Sequence, residues 1–163
     1  MQAEIITIGD EIYKKWPDLS VVKQADGGAD VTTSYDQEIE SKFKELISLN
    51  FEEDGFIGEE SEPVASKNGY TWYIDPIDGT KFFANMIPMW GITISLLKDD
   101  EPVIGLIYNP VSKQLHSAIE GEGAFLNETK LEIKEQQAST TQMFWDYVNL
   151  NIELGSVDAE AVN

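Results

Sequence analysis

At Asp54-Gly55 the hydrophobic period of the chain changes, and no other feature of the sequence constrains the fold as much. Before that point apolar residues recur at three- and four-residue steps. Ile5, Ile8, Ile12 and Trp16 form one such stretch, and Tyr35, Ile39, Phe43, Leu46 and Ile47 form another. This spacing lines one face of a helix. Pro17 ends the first helix, and Ser34 with Gln37 offers the second a capping box. Between them the polar stretch 23–30, broken by Gly27 and Gly28, reads as a mobile loop. Beyond Gly55 the apolar runs have strand length: residues 56–58, 70–74, 91–97, 103–108, 114–119 and 143–148. Turn signals separate them at Asn68-Gly69, Asp99-Asp100, Asn109-Pro110 and Gly121-Glu122-Gly123. The clearest hairpin joins Leu97 to Val103 around the acidic turn. The expected class is α+β, with two N-terminal helices packed on one face of a largely antiparallel β-sheet. Residues 1–149 read as one domain, and 150–163 as an acidic, frayed tail.

Composition removes several classes of function. Eleven Lys and Arg stand against thirty Asp and Glu, a net charge of −19. Such a surface repels nucleic-acid phosphates and anionic lipid, so neither is an expected partner. With no cysteine in the sequence, disulfides, thiolate metal sites and cysteine nucleophiles are excluded. No apolar run reaches the roughly 20 residues of a membrane span, and the first residues lack a signal-peptide layout. The expected setting is the cytoplasm.

Most of the thirty acids must be solvated, so the informative ones stand where a carboxylate is costly. In Ile74-Asp75-Pro76-Ile77-Asp78-Gly79-Thr80 an apolar strand runs into two aspartates around a proline. Two carboxylates on a stiff turn stay ionised together only with a cation between them, and a hard ion such as Mg²⁺ takes oxygen ligands. Gly79 lets the backbone approach a ligand, and the amides of Gly79 and Thr80 face an anion if a helix begins there. An Asx-turn with a helix cap accounts for the same residues equally well. Gly58-Glu59-Glu60-Ser61 follows another short apolar run. It reads either as a ligand with its support or as part of an acidic surface between residues 52 and 62, which holds six acids and no base. Asp36, at the end of Asp30-Val31-Thr32-Thr33-Ser34-Tyr35-Asp36, falls in a first helical turn that favours negative charge in any case.

In this order and spacing the three segments resemble the signature of the inositol monophosphatase family: D-x-V-T-x-x-D, then G-E-E-[ST], then W-x-[IV]-D-P-[IL]-D-G-T. Trp72 to Thr80 carry the last and most specific of these, and the resemblance runs on through "PVIGLIYNP" and "GEGAFLN" to about residue 148. It implies the N-terminal half of the family's αβαβα sandwich and a Mg²⁺-dependent hydrolysis of a small phosphorylated metabolite. By the same resemblance Glu59 binds a first metal, Asp75 bridges two, the carbonyl of Ile77 faces a metal, and Asp78 binds the second. Gly79 and Thr80 hold the substrate phosphate, Asp36 and Thr80 orient and deprotonate the attacking water, and Glu60 supports the ligands. The single histidine, His116, is expected to be structural or at the surface. A homodimer, common in the family, is implied as well.

The chain also departs from the family pattern. Phe82 stands where D-G-T-x-N-F has asparagine, and Lys81 with "IPMWGITISLL" is closer to the histidinol-phosphate phosphatase branch. The family's second half, with its W-D-x-A-A-G aspartate, is not matched. Trp145-Asp146 is followed by Tyr147-Val148-Asn149 in place of small residues, so Asp146 is not read as that ligand. The alternative to an enzyme is a catalytically inactive metal- or phosphate-binding domain that acts as an interaction subunit.

Overall fold

The computed structural model describes residues 1–16, 22–24 and 31–132, of which all but Glu132 belong to one compact unit, Met1–Leu131. Three expectations lie outside the described residues: the run 143–148, the pair Trp145-Asp146, and the acidic tail. So do Pro17 and the glycines of the expected loop, although residues 22–24 at that loop's start form a strand.

Helix α1 spans Gln2–Lys15, with Trp16 as its C-cap. Two short strands, β1 (Val22–Gln24) and β2 (Val31–Thr33), pair antiparallel and lead into helix α2 (Ser34–Asn50). The strands β3 (Gly55–Ile57), β4 (Tyr70–Asp78), β5 (Gly91–Lys98), β6 (Glu101–Asn109), β7 (Gln114–Ile119), β8 (Gly123–Leu126) and β9 (Thr129–Lys130) form one sheet in chain order. Every neighbouring pair is antiparallel except β3–β4. A single helical turn and a half, α3 (Thr80–Ala84), follows β4. The expected α+β class with a largely antiparallel sheet is what the chain adopts.

The capping box of α2 is one residue earlier than its sequence suggests. Thr33 is the N-cap and Asp36 its reciprocal partner, while Ser34 is already helical. Thr33 wins because its extended backbone (φ −108°, ψ 162°) leaves β2 directly into the cap. At the acidic turn Lys98 faces Glu101, and Asp99 and Asp100 both take positive φ (51° and 69°), the geometry of a two-residue hairpin.

The core lies between the helices and one sheet face. Ile5, Ile8 and Ile12 of α1 and Ile39, Phe43 and Ile47 of α2 are buried against Trp72, Ile74, Ile92, Ile94, Leu106 and Tyr108. Each such side chain contributes about 1.5–3 kcal/mol by leaving water, so the two stripes fix the helices to that face. Along β4 buried Trp72 and Ile74 alternate with the more exposed Tyr73 and Asp75, which places Asp75 on the opposite face.

Candidate metal centre

Asp78 lies three positions after Asp75, which in a regular strand would send the two carboxylates to opposite faces. The pairing with β5 prevents this. Asp75 faces Thr93 and Asp78 faces Gly91, so β4 carries one residue more than its partner. Cross-strand partners share a face, and Thr93 and Gly91, two apart, share theirs; the bulge therefore returns Asp78 to the side of Asp75. Pro76 sits within the bulge, where it has no ladder donor to lose.

The parallel pairing of β3 with β4 brings in the second acid. Phe56 lies beside Trp72 and Ile57 beside Tyr73. Continued past the end of β3, that alignment sets Glu59 abreast of Asp75, and both line one cleft with Gly58, Tyr73 and Thr93. Antiparallel strands would have carried the Glu59 end to the far edge of the sheet. Not every acid of the 52–62 run belongs here: Asp54 accepts hydrogen bonds from Trp72 Nε1 (2.8 Å) and Asn68 Nδ2 (2.7 Å) and pins the start of β4.

Helix α2 supplies the third side. Asp36 is buried, and its Oδ2 accepts from the Thr33 backbone N–H (2.7 Å) and the Thr33 hydroxyl (2.6 Å). Burial raises its pKa to about 6 against these bonds, with the charge of Glu60 adding to the rise. Asp75 is likewise raised to about 6, first by burial and then by the charges of Asp78, Glu59 and Asp36. Four acids from three separate elements thus share one electrostatic neighbourhood. Asp75 Oδ1 is buried with no hydrogen-bond partner.

After the bulge the chain reverses through Gly79, whose φ of +89° suits glycine, and a Cβ there would lie 2.7 Å from the Met89 carbonyl oxygen. Thr80 then starts α3, so a helix does begin where the sequence reading required one. Thr80 Oγ1 donates to the Ile77 carbonyl (2.8 Å). Thr80 and Asp36, the pair expected to handle the attacking water, each bond within their own turn, Thr80 to Ile77 and Asp36 to Thr33. Phe83 anchors α3 in an aromatic cluster with Trp16, Tyr35 and Trp90, and Trp16 Nε1 donates to its carbonyl (2.9 Å). Phe82, in place of asparagine, is partly exposed and lines a second cleft with Asp78, Gly79 and Met89. His116 is exposed on β7, away from these acids and paired with Ile107 and Leu126.

The residues fit a hard divalent cation by their chemistry. All the donors are oxygen, they repel one another, and one buried carboxylate oxygen lacks a partner. Among the described residues no three or more acids or histidines form a group that could by itself hold a metal ion. Two participants escaped the sequence reading, Thr33 and Glu40. Glu40 is 2% exposed and accepts from the Glu60 backbone N–H at 2.7 Å. Its signal was present, a glutamate between Ile39 and Phe43 on the buried side of α2.

An α+β fold that gathers acids at neighbouring strand ends is a recognisable class of protein, and comparison with known proteins makes it particular. The profile of the inositol monophosphatase family matches residues 1–153. The chain belongs to that family. It is 32% identical over 112 residues to the fructose-1,6-bisphosphatase/inositol-1-monophosphatase of Aquifex aeolicus, covering 69% of this chain and 42% of that protein. It is 37% identical over 111 residues to the histidinol-phosphatase of Chlorobaculum parvum, covering 66% and 43%. A solved IMPase/NADP phosphatase, complexed with Mg²⁺ and phosphate, superposes with a TM-score of 0.71 at 25% identity, over 78% of this chain and 49% of that one. The chain thus spans about half or less of the length of these relatives. Identities this close do not separate the inositol from the histidinol branch.

Proposed function

We propose that the strand-end acids form the metal-binding part of a Mg²⁺-dependent phosphatase acting on a small phosphate monoester: an inositol, sugar or histidinol phosphate. The carrying observation is the buried, unpartnered Oδ1 of Asp75, set among three further carboxylates. A carboxylate so placed lacks a counter-charge, and Mg²⁺ bound to a phosphatase of like fold supports that ion as its partner.

In this reading Glu59, Asp75, Asp78 and the Ile77 carbonyl hold the metal. That carbonyl has a second lone pair beyond the one engaged by Thr80. When bound, the metal neutralises charge on the phosphoryl oxygens and lowers the pKa of water. The backbone at Gly79 and Thr80 receives the phosphate, and rigid packing of Phe83 keeps that turn in place. Asp36, with its pKa about 6, takes a proton from the attacking water near neutral pH, while Thr33 holds the carboxylate and Thr80 orients the water. Water oxygen joins phosphorus as the ester P–O bond breaks; the leaving oxygen gains a proton, balancing in net the one given to Asp36, and alcohol and inorganic phosphate leave. Glu60 stands behind this set through its charge on Asp36.

The test is phosphate release by the full chain from a panel of inositol, sugar and histidinol phosphates at millimolar Mg²⁺. The expected result is release that chelation and Asp75→Asn both abolish. Saturable Mg²⁺ uptake that Asp75→Asn removes, without release from any substrate, would assign the chain to the binding-domain alternative. Neither uptake nor release would end the proposal.

A further inference from the structure

We infer that Glu40 is a positioning residue of this centre: its buried carboxylate sets the backbone of the Gly58-Glu59-Glu60 turn and thereby aims Glu59 at the cleft it shares with Asp75. This rests on the phosphatase reading above. Asp36, Glu40 and Lys44 succeed one another at four-residue steps, so they line one stripe of α2. Asp36 ends at the site. One turn on, Glu40 Oε2 accepts from the Glu60 N–H at 2.7 Å. A further turn on, Lys44 Nζ donates to Ser61 Oγ (2.9 Å) and the Glu62 carbonyl (2.8 Å). The helix that carries Asp36 therefore grips the Glu59 turn on its C-terminal side with side chains from two successive helical turns.

Gly58 shows how close the grip is. A Cβ at that position would overlap the carboxyl group of Glu40, so glycine here admits the carboxylate against the backbone; no positive φ is involved. β3 ends at Ile57, and beyond it the Glu60 amide has no ladder partner to donate to. A partly buried donor left without an acceptor is costly, and Glu40, buried between Ile39 and Phe43, supplies one. The other oxygen, Oε1, is buried without a partner. A merely stabilising residue at this place would be apolar. The arrangement instead spends buried polarity on one backbone amide next to Glu59. Ligand-orienting partners of this kind change metal affinity when their reach changes, even where the ligand itself is intact.

Length is separated from charge by two variants. Glu40→Gln keeps the reach and an acceptor oxygen but no charge; Glu40→Asp keeps the charge but falls one methylene short of the Glu60 amide. Mg²⁺ affinity of the full chain is measured by calorimetry, and metal-free thermal unfolding is recorded alongside. Ile47→Val, a core trimming on the same helix, controls for lost stability. The expected result is that Glu40→Asp weakens Mg²⁺ binding by about 10-fold or more, as for other ligand-orienting partners. Glu40→Gln and Ile47→Val stay close to the parent. Wild-type affinity in Glu40→Asp would overturn the inference while leaving the phosphatase reading intact. So would an equal loss in Glu40→Gln, which would make the charge and not the reach decisive. If the parent chain takes up no Mg²⁺, both fall together.

Discussion

Asp36 shows how much a single environment decides. It caps α2 through two bonds from Thr33, which by themselves favour the ionised form, yet burial dominates and raises its pKa to about 6. A carboxyl raised above its unfolded value of about 3.9 binds protons more tightly in the folded chain. Its contribution to stability is therefore full below pH 4, declines as pH rises through 6, and is constant above. The acids with lowered pKa values, Glu4, Asp10, Glu11 and Glu38, act in the opposite sense but only below their ordinary range. Between pH 5 and 7.5 the metal-free chain should lose stability on the order of 1 kcal/mol from Asp36. Asp75, raised to the same value, adds a similar loss, so urea unfolding at the two pH values should show a slope that Asp36→Asn roughly halves, since asparagine can still accept from Thr33. Asp36 was legible in the sequence as a first-turn acid, but its burial was not. Burial depends on how α2 packs against β4 and β2, which no local spacing encodes.

At the scale of elements, the β4 bulge and the turn after it convert a short motif into a site. The motif's residues were all readable from the chain, and so was the rigidity supplied by Pro76. The common face of Asp75 and Asp78 was not, because it follows from the register against Thr93 and Gly91. Nor was the parallel β3–β4 pair that sets Glu59 beside Asp75. The strand β9 and the ribbon of β1 with β2 were not read, and β8 showed only through the family resemblance of "GEGAFLN"; these short strands carry little periodicity of their own. The turn at Gly79 makes its own prediction. Alanine there must adopt positive φ and meet the Met89 carbonyl, so Gly79→Ala should cost about 1–3 kcal/mol in denaturant unfolding. Gly105, in β6, has open space where its Cβ would be, and Gly105→Ala should be nearly neutral or stabilising. Equal losses at both positions would mean that the close approach at Gly79 contributes nothing.

Over the whole molecule, the change of period at Gly55 was enough to give the layers: helices on one face, a sheet in chain order, one core between. Family membership was likewise carried by three short segments in order, and the profile match over residues 1–153 agrees with that reading. The acidity of the chain is the larger-scale fact that any claim about metal must survive. A net charge of −19 draws divalent cations to the whole surface, so weak uptake alone says little. A specific centre is distinguished by its dependence on one carboxylate and its indifference to others of equal charge. The most direct measurement is Mg²⁺ calorimetry at pH 7.5 on the full chain, on Asp75→Asn, and on Asp54→Asn, whose carboxylate serves Trp72 and Asn68. Saturable binding that Asp75→Asn removes and Asp54→Asn leaves unchanged is the result predicted by a cation held between the strand ends. Equal uptake by all three proteins would contradict it.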